Sequence, residues 1–278
     1  MNRLLLLPMA LVLAIAAVSC SGDDDAVSTS GQRVYADQQY YPTLPETVWR
    51  YRVDSTGADK RLVRDAYRIN SRITGTTFTA NDTTYTVQVN EEIRSNGTSF
   101  DTLYVRKDDR GVFMSSPSLR NFSLLGQLGA GLNLGTFPKE FMILPLHPEY
   151  VTNWDIIRFD YTILILNIRF WVTAQYMGRE NVTTDMGVFR DCAKVRITVD
   201  ALFPNPADPT NILNPLRIND KADFWLARPL GLVVGDGAAS VFALLNGRVP
   251  LSLLARKLHM EPLDMTIAQP SGPCASFR

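Results

Sequence analysis

Alternation of apolar and polar side chains is the feature of this chain that most constrains its fold. In residues 47–54 the apolar Trp49, Tyr51 and Val53 alternate with a second set, Val48, Arg50 and Arg52. Successive side chains of a β-strand point to opposite faces, so this spacing predicts a strand with one buried face. The first part of the chain is therefore expected to form a β-sheet.

The same alternation recurs, with turn signals between the segments. Asn81-Asp82 and Asn96-Gly97 are pairs that favour turns. The alternating segments are 62–74, 83–93, 100–106 and 111–115. Together they predict an antiparallel meander over 47–115.

The segment 83–93 divides its residues between two chemically different faces. Tyr85, Val87 and Val89 form the apolar set, while Gln88 belongs to the polar set. The apolar set is expected to face the core and the polar set to face water.

An apolar, glycine-rich segment at 118–141 interrupts the pattern, and strands resume after it. Leucines at partly helical spacing predict a short helix over 117–128, and the remainder fits either a lid or a plain connection. The later strands are expected at 156–166, 167–177, 188–203, 216–226, 231–234 and 240–245. Gly235-Asp236-Gly237 favours a hairpin turn, and 248–259 fits either a strand or a helix.

The fold class that follows is mainly β. We expect one curved antiparallel sheet, as a half-barrel or two layers, with one or two short helices. The expected organisation is a signal peptide at 1–19, a flexible tether at 20–39, a single β domain at 40–260 and a C-terminal tail at 261–278.

The N-terminal segment determines the expected location. A short basic start precedes the apolar run Leu4–Val18, and Cys20 follows the small residues that close it. This layout is typical of a secretory signal. It resembles a bacterial lipobox, in which the cysteine carries acyl chains such as palmitate. The alternative is an ordinary secretory signal in which Cys20 is incidental.

The acidic residues behind Cys20 refine that location. Asp23, Asp24 and Asp25 resemble the acidic export signal of surface lipoproteins in the Bacteroidota. The chain is therefore expected to be anchored by lipid in the outer membrane, and it could be exposed at the cell surface. Its expected partners are that membrane and either a lipophilic small molecule or an envelope protein.

Several short motifs resemble a group of uncharacterised lipoproteins of the Bacteroidota and related phyla. In that group an aromatic-proline lead enters a Trp-x-Tyr strand, a second tryptophan follows in mid-chain, and two further strand motifs come after it. The matching positions are Tyr40-Tyr41-Pro42, Trp49-Arg50-Tyr51, Trp154, Phe189–Val195 and Phe224–Val233. The sequence departs from the group at Leu230, where glycine is usual, and at Val234, where lysine is usual.

The resemblance implies a particular fold and a particular kind of ligand. These lipoproteins look similar to the half-barrel of lipoprotein localisation factors, whose concave face holds acyl chains. We therefore expect the β domain to bind a lipophilic ligand. The alternative is an accessory lipoprotein of the surface or of an envelope complex, which acts by protein or glycan contacts. The expected ligand-binding residues are Leu124, Leu125, Leu128, Ile163, Ile165, Phe170 and Trp171.

The residues that carry common catalytic chemistry are sparse. His147 and His259 are the two histidines, and neither has the spacing of a metal site or of a nucleophile–base pair. Glu91 and Glu92 are adjacent on a predicted strand and so point to opposite faces. No metal, cofactor or catalytic activity is expected. The formal net charge of +0 gives no electrostatic basis for binding nucleic acid.

Two cysteines besides Cys20 leave one question open. An oxidising envelope would permit a disulfide between Cys192 and Cys274. Cys192 also lies in an apolar strand segment, where a buried free thiol is common.

Overall fold

The computed structural model describes residues 40–119, 138–163, 166–203, 215–245 and 256–268. All of them belong to one unit of the chain, Asp37–Gln269. No helix in these ranges is long and apolar enough to cross a membrane.

The described residues form a mainly β structure, which confirms the predicted fold class. The strands are β1 (Val48–Thr56), β2 (Leu62–Ala80), β3 (Thr83–Arg94), β4 (Gly97–Lys107), β5 (Gly111–Ser115), β6 (Glu140–Pro145), β7 (Asn153–Ile163), β8 (Leu166–Thr184), β9 (Gly187–Phe203), β10 (Leu216–Ala227), β11 (Gly231–Ala238) and β12 (Lys257–Thr266). Helix α1 spans Ala239–Leu245, and short 3₁₀ helices occur at Ser116–Leu119 and Pro148–Tyr150.

All twelve strands belong to one antiparallel sheet. Their order is β6-β5-β4-β3-β2-β1-β12-β11-β10-β9-β8-β7. The two edge strands, β6 and β7, follow each other in the chain and have Cα atoms within 8 Å. The sheet is therefore nearly closed into a barrel, further than the half-barrel that the resemblance implied.

The alternation in β1 places its apolar side chains inside this barrel. Trp49, Tyr51 and Val53 are 4%, 5% and 0% exposed, and all three belong to the main hydrophobic core. The intervening Arg50 lies on the outer face, where it pairs with Asp264 of β12 at 2.5 Å. The sequence prediction for this strand is confirmed.

In β3 the predicted faces are exchanged. Gln88 and Asn90 are buried and line the interior, while Val87 and Val89 are only partly buried. Tyr85 is buried on the other face, where its hydroxyl donates to Oε2 of Glu140 at 3.2 Å. Alternation alone identifies two faces but not which one is inside, and a shift of one residue exchanges them.

Three further segments differ from the sequence-based expectation. Residues 240–245, expected as a strand, lie in helix α1, because a short apolar run does not distinguish the two structures. Gly235-Asp236-Gly237 lies inside β11 rather than in a turn. Residues 261–266, expected in the tail, complete β12, which lies between β1 and β11.

Helix α1 packs against one end of the sheet. It follows β11 directly, and the amide of Ala239 donates to the carbonyl of Arg256 at 2.9 Å. Ser240 hydrogen-bonds with Asp220 of β10. Val241 and Phe242 are buried, and the Phe242 ring lies 5.2 Å from that of Phe224. The helix therefore places an aromatic side chain inside the barrel.

Candidate ligand-binding cavity

A cavity of about 180 Å³ lies inside the barrel. One water molecule needs only about 10–15 Å³ of such space, so the cavity is much larger than a packing defect. Its apolar wall comes from β1, β2, β4–β6, β9–β12, helix α1 and the segment before β1. The apolar lining residues are Tyr41, Trp49, Tyr51, Ile69, Leu103, Val105, Met114, Ile143, Leu144, Val195, Ile197, Phe224, Leu226, Leu232, Phe242 and Met260.

One side of this cavity is polar. Ser71 of β2 pairs in register with Asn90 of β3, and Gln88 lies two residues from Asn90 on the same face. Nε2 of Gln88 donates to Oδ1 of Asn90 at 2.9 Å. Among the described residues, no partner is found for the Ser71 hydroxyl or for Nδ2 of Asn90. We call Ser71, Gln88 and Asn90 the polar row.

The segment before β1 closes the cavity at the end opposite helix α1. The hydroxyl of Tyr41 donates to Oε1 of Gln88 at 2.6 Å. Burial raises the pKa of the Tyr41 hydroxyl, and the hydrogen bond to Gln88 opposes that rise only in part. Tyr41 therefore remains a protonated donor at physiological pH.

Two further hydrogen bonds link β1, across β12, to β11 and the residue before it. Nε1 of Trp49 donates to the Leu230 carbonyl at 2.7 Å, and the Tyr51 hydroxyl donates to the Leu232 carbonyl at 2.8 Å. Burial raises the pKa of Tyr51 well above its ordinary value, so this donor also stays protonated. Both aromatic side chains present apolar surface to the cavity while their polar atoms are satisfied.

Phe170 and Trp171 do not line this cavity. Phe170 is 2% exposed and packs in the main core. The ring of Trp171 lies between the guanidinium groups of Arg158 and Arg169, at 4.3 and 4.2 Å, and Nε1 donates to Asp160. Trp171 therefore belongs to a polar cluster on the outer face.

The structure does not describe the side chains of the remaining predicted ligand-binding residues. Leu124, Leu125, Leu128 and Ile165 lie outside the described residues, and the side chain of Ile163 is not described either. The strand expected at 156–166 ends earlier, because β7 ends at Ile163 and β8 begins at Leu166, where the two residues pair.

Cys192 has a buried free thiol and packs with Ala227 and Val233. Burial, followed by the nearby charges of Asp191 and Glu180, raises the pKa of the Cys192 thiol to about 11. Cys20 and Cys274 lie outside the described residues. The lipidation of Cys20 and the pairing of Cys274 therefore stay predictions.

The two histidines lie apart from the cavity. His147 precedes the second 3₁₀ helix, and His259 lies on the outer face between Asp236 and Glu261. Within the described ranges, no three histidine, cysteine, aspartate or glutamate side chains cluster as metal ligands would.

Sequence reasoning missed the polar row and the role of Tyr41. Gln88 and Asn90 alternate with valines, which is the usual signal of a solvent-facing polar edge. The available signal was the Tyr-Tyr-Pro lead, because bulky aromatic residues before a first strand need apolar surface to pack against.

No family model matches the chain, and no curated protein matches it. Two solved structures are similar at 12% sequence identity, each covering 82% of this chain and 99% of the other. One is a presumed exported protein with a YmcC-like fold from Bacteroides fragilis, at a TM-score of 0.42. The other is a presumed lipoprotein from Parabacteroides distasonis, at a TM-score of 0.41.

Proposed function

We propose that the barrel binds a lipophilic molecule that carries at least one polar group. Its apolar part would occupy the cavity and its polar group would lie against the polar row. The observation that supports this most is an apolar cavity with polar groups of Ser71 and Asn90 in its wall, for which the described part of the chain offers no partner.

Binding of such a ligand in the cavity is energetically favourable. Apolar surface removed from water contributes about 25 cal/mol per Å², so filling the aromatic and aliphatic wall is favourable for the guest. A ligand oxygen that accepts from Nδ2 of Asn90 would add a hydrogen bond, which contributes about 0.5–1.5 kcal/mol.

The anchoring proposal follows from the N-terminal sequence. We propose that Cys20 is acylated and that it tethers the barrel to the outer membrane, either at the cell surface or on the periplasmic face. A barrel held at a membrane is close to a source of lipophilic molecules. Under this proposal the protein acts by binding rather than by catalysis.

Fluorescence of N-phenyl-1-naphthylamine, a neutral apolar probe, tests the binding proposal. The full chain carrying Cys20→Ser should enhance the probe's emission saturably. Ile197→Phe adds volume inside the cavity and should weaken probe binding at least about tenfold, which corresponds to about 1.4 kcal/mol.

The matched control is Val188→Phe, because Val188 is 59% exposed. This control should bind the probe as the parent does, with both variants checked for folding by circular dichroism. Absence of saturable binding by the parent, or equal binding by a folded Ile197→Phe variant, would overturn the proposal.

A further inference from the structure

A second cavity lies next to the first one along the barrel interior. Its volume is about 190 Å³, and it is lined by Ser55, Val63, Ala66, Tyr67, Arg94, Arg256 and Leu258. On β2 the first cavity is lined by Ile69 and the second by Tyr67, two residues further along the same face. Two strand residues span about 6.6 Å, so the cavities are neighbouring layers of one interior.

The same step appears on β12. Met260 lines the first cavity and Leu258 lines the second. Arg256 immediately precedes this strand and is exposed, and its carbonyl accepts a hydrogen bond from Ala239 of helix α1. The second cavity therefore lies at the helix α1 end of the barrel, where the interior approaches solvent.

The second cavity is positively charged. Its described lining holds two guanidinium groups, those of Arg94 and Arg256, and no carboxylate. Arg94 lies over the Tyr67 ring at 4.2 Å and pairs with Glu92 through its Nε atom. Among the described residues, no hydrogen-bond or ion-pair partner is found for the guanidinium of Arg256, which is an exposed residue.

From this arrangement we infer that the second cavity binds the anionic end group of an amphiphile, a carboxylate or a phosphate, whose apolar chain occupies the first cavity. This inference rests on the proposed function and specifies the ligand's chemical class. Glu92 neutralises the charge of Arg94. The charge of Arg256 can therefore pair with an anionic group of the ligand. Guanidinium groups present paired N–H donors that match both kinds of oxyanion.

The test compares amphiphiles that share one chain and differ in the end group. Palmitate, hexadecyl phosphate and the neutral hexadecanol are titrated against bound N-phenyl-1-naphthylamine on the full chain carrying Cys20→Ser. Palmitate, hexadecyl phosphate or both should displace the probe at a concentration at least about tenfold lower than hexadecanol. The comparison between the two anions identifies which end group fits.

Substitutions separate the end group from the chain. Arg256→Gln should bring the anions close to hexadecanol and leave hexadecanol unchanged, and Arg94→Lys should retain part of the preference. The control is Arg72→Gln, an exposed arginine of β2, which should behave as the parent does.

The outcomes distinguish this inference from the function on which it rests. Equal displacement by all three compounds, or an anion preference that survives Arg256→Gln, would overturn the anionic site and leave lipophilic binding intact. Absence of probe binding would overturn the proposed function itself, and the inference with it.

Discussion

The Tyr41 hydroxyl donates to Oε1 of Gln88 at 2.6 Å, which joins the segment before β1 to the middle of β3. This bond links the segment before β1, at one end of the cavity, to the polar row. It orients Gln88 so that its Nε2 atom donates to Asn90. The Asn90 amide, whose Nδ2 atom we propose to donate to a ligand, is thereby held by a chain of two hydrogen bonds.

Removing the first of these bonds should destabilise the fold. Tyr41→Phe keeps the ring but leaves Oε1 of Gln88 without this donor in a buried site, which should cost about 1–3 kcal/mol. Urea denaturation measures the free energy of unfolding. Tyr150→Phe is the control, because Tyr150 is 81% exposed and its change should stay within about 0.5 kcal/mol. Equal effects of the two substitutions would show that the Tyr41 hydroxyl adds nothing.

The close contact between β11 and helix α1 requires glycine at position 235, which has no side chain. A Cβ atom on Gly235 would lie 2.7 Å from Cε1 of Phe242 and 2.9 Å from its Cζ. Gly235→Ala should therefore destabilise the protein by about 1–3 kcal/mol through overpacking.

The second half of that test is a double-mutant cycle. Phe242→Leu shortens the side chain that the new methyl group meets, so Gly235→Ala should cost less in the Phe242→Leu background than in the parent. Strictly additive effects on the unfolding free energy would contradict this packing.

His259 should make stability depend on pH. The hydrogen bond with Asp236, together with that to Glu261 and against partial desolvation, raises the pKa of His259 to about 9. The ordinary value is about 6.5, so the folded state binds this proton more tightly than the unfolded state. The stabilisation is fully present below about pH 6.5 and is lost as the pH rises through about 9.

Thermal melts from acidic to alkaline pH measure this contribution. His259→Gln should lower the melting temperature below about pH 6.5 and make little difference above about pH 9. The effect should be small, because the side chain is 39% exposed and solvent screens its ion pairs. Asp236→Asn should also reduce the pH dependence. A deficit of His259→Gln that grows with rising pH would have the opposite sign to this prediction.

The Cys192 thiol should be unreactive in the folded protein. Its raised pKa of about 11 and its burial leave very little accessible thiolate at about pH 8. Iodoacetamide should not label it under native conditions but should label it in urea without reductant. A peptide in which Cys192 is cross-linked to Cys274 would contradict this prediction.

The fold class could be predicted because the alternation of apolar and polar residues follows directly from the two-residue repeat of a β-strand. Trp49, Tyr51 and Val53 repeat with period two, and their burial in β1 follows from that repeat alone. The order of strands also follows simply, since most neighbours in the sheet are consecutive in the chain.

The candidate site could not be predicted in the same way, because it breaks the pattern. Gln88 and Asn90 are polar residues on an inner face, so the alternation of β3 indicated the wrong side. The position of β12 was obscured by Glu261, Pro262 and Asp264, although Pro262 pairs with Tyr51 next to a bulge in β12. Long-range pairing between the first and last strands leaves no local signal.

Native mass spectrometry of the full chain carrying Cys20→Ser tests the central claim most directly. This substitution removes the predicted site of covalent acylation, so any lipid that remains is bound noncovalently. The account predicts adducts with the mass of an amphiphile in the parent barrel, and their loss in Ile197→Phe but not in Val188→Phe. The account would be contradicted if the parent showed only the mass of the polypeptide and formed no adduct with added palmitate, hexadecyl phosphate or hexadecanol.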